Sequence, residues 1–228
     1  MSLTEKLLRG APASPLITHY DDAAGTRVEL SVATMRNWAA KTANWLVDEL
    51  DVVPGDRVAV LLPAHWQTAA VLLGAWWCGA EVVTSGPSSV AFVPPGGSAA
   101  DAGVVAVASL DPMGRDLRGE VPAGTLDYIG DARLFGDDFL AMTPIPPDTL
   151  CFMGSTVDGV LSAALERASV LGLTSTSRVL STKDWPSGVM DGLITVLAAG
   201  ASLVQVTNGD PSKLEKHQET ERTTDVLT

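Results

Sequence analysis

PGDRVAVLLPAHWQTAAVLLGAWWCGAEVV, residues 54–83, decides the fold. Pro54-Gly55 marks a turn. Residues 57–62 (RVAVLL) form a short apolar run with β-branched content, which suits a strand buried on both faces. Pro63 ends it. Residues 64–79 are apolar nearly all round and read as a helix, with Gly79 placed to close it in the left-handed conformation. Residues 81–84 (EVVT) read as a second strand. Strand, helix and strand within about 30 residues make a βαβ unit, which implies parallel pairing with a right-handed crossover.

The pattern extends outward in both directions. Before it, residues 27–30 read as a strand and Ser31 as a helix cap. Met35, Trp38, Thr42, Trp45, Leu46 and Leu50 then recur at helical spacing, with the two tryptophans on a core-facing stripe. After it, residues 90–93 and 103–109 read as strands. Residues 111–149 are rich in Gly, Pro and acidic side chains and read as irregular covering structure. Regularity returns with a strand at 149–153, a turn at 154–159 and a helix at 160–171. A strand at 178–181, a helix at 187–199, a strand at 201–207 and a helix from Pro211 to about Arg222 follow. The expected fold class is α/β, a mainly parallel sheet with helices on both faces in three αβα layers. It forms one domain over residues 1–228 with an irregular segment at about 86–147.

Composition narrows the function. The chain has 228 residues, a net charge of −12 and 46% hydrophobic residues, enough for a buried core and against disorder. So acidic a surface repels phosphate backbones and anionic lipid, so no nucleic-acid or membrane partner is expected. No apolar run is long enough to span a bilayer, and MSLTEKLLRG lacks the apolar stretch of a secretion signal. Cys78 and Cys151 sit in apolar runs and read as reduced, buried thiols of a cytoplasmic protein. Two cysteines and three histidines at unrelated spacings give no metal site. His19, His65 and His217 have no nucleophile at a recognisable spacing; His65 opens a helix and His217 lies on a charged helix face.

Two stretches, residues 27–46 with 54–83 and residues 171–206 (LGLTSTSRVLSTKDWPSGVMDGLITVLAAGASLVQV), together resemble the adenylate-forming superfamily. That superfamily includes acyl-CoA synthetases, luciferases and peptide-synthetase adenylation domains. The resemblance covers most of the chain outside about 86–147. It is strongest to short actinobacterial members that stop early, so it implies the N-terminal subdomain of an AMP-binding enzyme, truncated before its catalytic half. These segments specify fold more than chemistry.

The family's chemical signature is a phosphate loop, Thr-Ser-Gly-Ser-Thr-Gly-x-Pro-Lys-Gly. Its counterpart here is residues 152–160, FMGSTVDGV, in which only Gly154, Ser155, Thr156 and Gly159 match. Such loops hold phosphate through backbone N–H groups, small hydroxyls and a cation. Val157 stands where the family has a glycine, and the Pro-Lys pair is missing. Asp158 adds a negative charge; like charges ~4 Å apart cost on the order of 1–4 kcal/mol. The plain reading is a strand-to-helix turn with Ser155 or Thr156 as cap. No cofactor is expected, and residual AMP or ATP binding at Gly154, Ser155, Thr156 and Gly159 is the alternative.

By the same resemblance, Trp185, Ser187 and Gly188 fall where the family lines its acyl pocket; otherwise Trp185 is a buried loop tryptophan. The family's adenine, ribose and lysine residues lie beyond the matched region, so no catalytic residue is assigned. Three functions follow. The first is a non-catalytic binding or regulatory protein. The second is half of an acid–thiol ligase completed by another chain. The third is a carrier of a small acyl or nucleotide ligand. A homo-oligomer or a protein partner is expected to cover the face that a second subdomain meets in the family.

Overall fold

A computed structural model gives the fold of residues 1–228. It opens with α1 (Leu3–Leu7), whose N-terminus is closed by reciprocal bonds between Ser2 and Glu5. An antiparallel hairpin follows, β1 (Pro15–Asp21) and β2 (Thr26–Ser31). Ser31 caps α2 (Val32–Asp48) by accepting from the Thr34 N–H. Next come β3 (Arg57–Val60), α3 (Trp66–Trp77) and β4 (Glu81–Val83), with β3 and β4 parallel as the opening stretch requires. β5 (Ser88–Val93), β6 (Ala102–Val107) and β7 (Leu126–Asp127) extend that sheet, and α4 (Tyr128–Ala132) follows. β8 (Leu150–Phe152) and β9 (Ser155–Thr156) lead into α5 (Val157–Val170). The chain continues through β10 (Arg178–Ser181), a π-helical turn (Met190–Ile194) and α6 (Thr195–Ala198). It ends with β11 (Ser202–Thr207), α7 (Leu214–Glu221) and β12 (Asp225–Leu227).

The α/β class and the mainly parallel pairing are as the sequence implies. The strands divide, however, between two sheets. One is ordered β12-β10-β11-β1-β2 and the other β7-β6-β5-β3-β4-β8-β9. Only β2 and β9 run antiparallel to their neighbours. Helix α3 touches both sheets, and α2 packs beside it. Every residue of α3 is buried, which explains why its sequence is apolar on all sides. Gly74 permits the closest approach: a Cβ there would lie 2.5 Å from Thr42 Cβ on α2. The five-stranded sheet has helices on both faces, since α7 covers Tyr20, Leu180, Val204 and Val206 on its outer side.

Several expectations need correction. Residues 111–149 are not wholly irregular. They contain β7 and α4, and Tyr128 is fully buried with its hydroxyl 2.7 Å from Thr42 Oγ1. The element forms because the Asp127 carboxylate accepts from the N–H groups of both Gly130 and Leu117, and two to five residues are too few to show a period. Helix α1 and strand β1 are absent from the sequence reading for the same reason of shortness or mixed polarity. His217 does not face solvent. It is buried against Tyr20, with Nε2 2.8 Å from Asp22 Oδ1. Both cysteines are buried free thiols, pushed up to about 12 by burial. No helix is long and apolar enough to cross a membrane.

Candidate functional site

Gly154, Ser155, Thr156 and Gly159 lie together where β8 turns into β9 and α5. Met153 and Gly154 both have positive φ, 47° and 80°, and form a two-residue hairpin turn between Phe152 and Ser155. Four N–H groups at this place are engaged by the chain itself. Gly154 N–H donates to Glu81 Oε1 at 2.8 Å. Val157 N–H donates to the Thr149 carbonyl and Asp158 N–H to the Pro147 carbonyl, both at 3.0 Å. Gly159 N–H donates to Thr156 Oγ1 at 3.1 Å, so Thr156 is the cap of α5, one of the two residues expected. Ser155 is exposed in β9. Asp158 is not an isolated negative charge, because Lys6 Nζ pairs with it at 2.8 Å. Arg57 approaches the other oxygen of Glu81 at 3.7 Å. A shallow cleft of about 460 Å³ opens beside the turn, lined by Arg57, Glu81, Thr84, Ser85, Met153 and Gly154.

Trp185, Ser187 and Gly188 belong to the other sheet, in the loop after β10. Trp185 is 3% exposed, and its indole N–H is buried without a partner. It precedes Pro186 through a cis peptide bond. Ser187 is exposed, and Gly188 N–H donates to the Asp184 carbonyl at 2.7 Å. The π-helical turn follows directly. Gly192 in that turn packs closely on the strand end: a Cβ there would lie 3.1 Å from Ser181 Oγ and 3.2 Å from Lys183 Cβ.

The structure adds residues that the sequence did not single out as a group. A cleft of about 480 Å³ lies at the carboxyl ends of β10 and β11, lined by Ala64, Thr182, Asp184, Gln205, Thr207 and Asn208. In open α/β sheets this edge is where ligands bind. Beneath it His19 and His65 meet edge to face, with ring centroids 4.5 Å apart. The Thr207 hydroxyl donates to the Ala64 carbonyl at 2.8 Å, so His19 Nε2, 2.7 Å away, must donate to Thr207. That leaves His19 Nδ1 as a buried acceptor with no partner. His65 Nδ1 accepts from the Gln67 N–H at 3.1 Å. Burial pushes His19 down to about 4, against the nearby Asp21 charge. Burial, and then His19, pushes His65 down to about 3. Both rings are therefore neutral near pH 7.

His19, Gln205 and Ser181 occupy one row across three paired strands. Gln205 donates to the Lys183 carbonyl at 3.0 Å, while its Oε1 is buried without a partner. This row was illegible because β1 carries no strict alternation and its register partner lies far along the chain. Alternation in 201–207 gave the only signal, placing Gln205 on the same face as Leu203.

No family model matches the chain. It is 46% identical, over 238 residues, to a Mycobacterium tuberculosis protein named TIGR03089 family protein, covering 99% of this chain and 96% of that one. Among solved structures, an acyl-CoA synthetase from Brucella canis matches with a TM-score of 0.81 at 17% identity, covering 99% of this chain and 47% of that chain. Acetoacetyl-CoA synthetase from Streptomyces lividans matches at 0.73 and 20% identity, over 92% of this chain and 39% of its own. The N-terminal domain of FACL13 from Mycobacterium tuberculosis matches at 0.72 and 18% identity, over 99% of this chain and 62% of its own. The chain thus spans less than half the length of the two synthetases. At these identities the likeness is one of fold, that of the N-terminal subdomain of adenylate-forming enzymes. The 46% identity over nearly the whole of both sequences places the chain in the TIGR03089 family.

Proposed function

We propose that this protein is a non-catalytic member of the acyl-CoA synthetase-like fold, with a binding or regulatory role. One observation carries the reading: the N–H groups of Gly154, Val157, Asp158 and Gly159 all have acceptors within the chain. A phosphate placed there has to displace a carboxylate, two carbonyls and a hydroxyl, and each buried group left unpaired costs about 1–3 kcal/mol. No lysine of the loop compensates. The fold is kept while the anion cradle is filled from within.

The same reading puts the chain in a reducing cytoplasm, with its thiols unreactive, and gives it a protein partner or a second copy. Leu134, Leu140 and Met142, 81%, 84% and 91% exposed, support a covered surface. The test is acid-dependent exchange of pyrophosphate into ATP by the purified chain. The expected result is no exchange with any carboxylic acid and no saturable ATP binding. Exchange by the chain alone overturns the proposal. Exchange only after addition of a second polypeptide supports a ligase half completed in trans.

A carrier role is the second reading, favoured by the unpartnered His19 Nδ1 and Gln205 Oε1 beneath the carboxyl-edge cleft. Two buried acceptors suit a ligand that brings its own N–H or O–H donors. Tryptophan fluorescence titrated with fatty acids, acyl-CoA and adenylates tests it through Trp185. An unchanged spectrum across all three removes this reading.

A further inference from the structure

A second cavity lies at the opposite, amino-terminal edge of the five-stranded sheet. Its volume is about 820 Å³, within the range of small-molecule sites. The starts of β1, β10 and β11 form its floor, so the length of the strands separates it from the carboxyl-edge cleft. Each strand residue advances about 3.3 Å, which sets the two about 15–20 Å apart.

The charge of this cavity runs against that of the molecule. The chain carries −12, yet the ionisable side chains lining the cavity are Arg9, Arg178, Arg222 and Glu221. Glu221 is already committed. Its Oε1 accepts from Arg27 at 2.8 Å and from the Tyr20 hydroxyl, and its Oε2 accepts from Arg178. Burial raises its carboxyl, but these partners hold it down at about 2, so it stays ionised and satisfied. That leaves the guanidiniums of Arg9 and Arg222, both exposed on the rim and neither in any ion pair.

Backbone geometry singles out Arg222. It ends α7 in the left-handed conformation, φ 51° and ψ 47°, a position that Gly or Asn fills at least cost. A residue with a Cβ there costs about 1 kcal/mol of backbone strain. Arg222 is exposed and lines the cavity. Arg9, beyond the end of α1, supplies the second cation, and the exposed hydroxyls of Ser14 and Ser175 supply neutral donors. Leu16 and Val32 give an apolar floor, and the carbonyl end of α6 at Ala198–Gly200 gives an acceptor wall.

We propose that this cavity binds a small phosphate monoester whose organic part carries hydroxyl or amine donors. The phosphate sits between Arg9 and Arg222, as charge-assisted bonds from two guanidiniums favour. The donors of the organic part face the α6 carbonyls, which by themselves repel an anion. The site is separate from the Gly154 turn, so the loss of adenylation chemistry proposed above has no bearing on it.

The test is a titration of the isotope-labelled full chain with glycerol phosphate, followed by amide chemical shifts at constant ionic strength. Saturable shifts are expected at Ser14, Ser175 and Arg222. Arg222→Gly removes the cation and relieves the left-handed backbone, so this variant folds at least as well and binds about tenfold or more weaker, the equivalent of one charge-assisted bond. Arg9→Ala loses affinity to a similar extent. Absence of saturable shifts at these residues, or equal affinity in Arg222→Gly, overturns the site. Inorganic phosphate binding as tightly as the ester overturns the ester assignment.

Discussion

The backbone N–H of Gly154 donates to Glu81 Oε1 at 2.8 Å, joining residues 73 positions apart. Glu81 begins β4 and is 8% exposed, so its carboxylate is an internal anion set against a hairpin turn. Replacing it with Ala leaves the Gly154 N–H without its acceptor beside a half-open cleft. Glu81→Ala is expected to lower stability by about 1–3 kcal/mol, and Glu81→Gln by less, because the amide oxygen still accepts. Urea unfolding midpoints of the two variants measure the difference. Equal midpoints for Ala and wild type would mean that the bond contributes nothing.

Helices α2 and α3 touch at Gly74. Its added Cβ would meet Thr42 Cβ at 2.5 Å, Thr42 Cγ2 at 2.6 Å and the Ala39 carbonyl at 3.0 Å. The helix-favouring gain of Gly→Ala, about 1 kcal/mol, is smaller than the cost of forcing two buried helices apart, about 1–3 kcal/mol or more. Gly74→Ala is therefore expected to melt lower than wild type by several degrees. A higher melting temperature would contradict the close packing.

Acid stability follows from His19 and His65. Their ordinary value is 6.5, and in the fold they stand at about 4 and about 3. Between those values the unfolded chain binds protons that the folded chain does not, so stability rises with pH in that window. It should fall as pH is lowered from 6.5 towards 4. Glu221 adds a second stage, from its ordinary 4.5 towards about 2, because the stability from its ionised form is lost as it protonates. Unfolding midpoints measured from pH 8 to 3 check this, and His19→Gln should flatten the upper stage. A flat profile from pH 7 to 5 in the wild type would refute the neutral buried pair.

Thr156 Oγ1 accepts from the Gly159 N–H at the start of α5. Thr156→Ala should cost about 1 kcal/mol and Thr156→Ser a few tenths at most. Chemical denaturation of both variants separates loss of the cap from loss of the methyl group. Equal loss in Ser and Ala would assign the effect to packing.

Legibility differed by the range of the interactions involved. The βαβ unit at 54–83 was readable because its signals are local: an apolar run, a proline, an all-apolar helix and a glycine stop. The π-helical turn lay inside a segment read simply as helix, since the insertion of one residue changes hydrogen bonding without changing the apolar pattern. Helix α4 was missed because Asp127 nucleates it through two N–H groups, and Tyr128 is buried by Thr42 from a different helix.

The sequence by itself determined the α/β class and the parallel pairing, because the strand, helix and strand of residues 54–83 are local signals. The tertiary structure decided how the strands divide between two sheets, which rests on contacts through the shared helices α2 and α3. It decided that His217 is buried beside Asp22, and that His19, Gln205 and Ser181 form one row. Above all, it decided which group accepts from the Gly154 N–H. Glu81 lies 73 positions away, and only the pairing of β4 with β8 brings its carboxylate to that N–H.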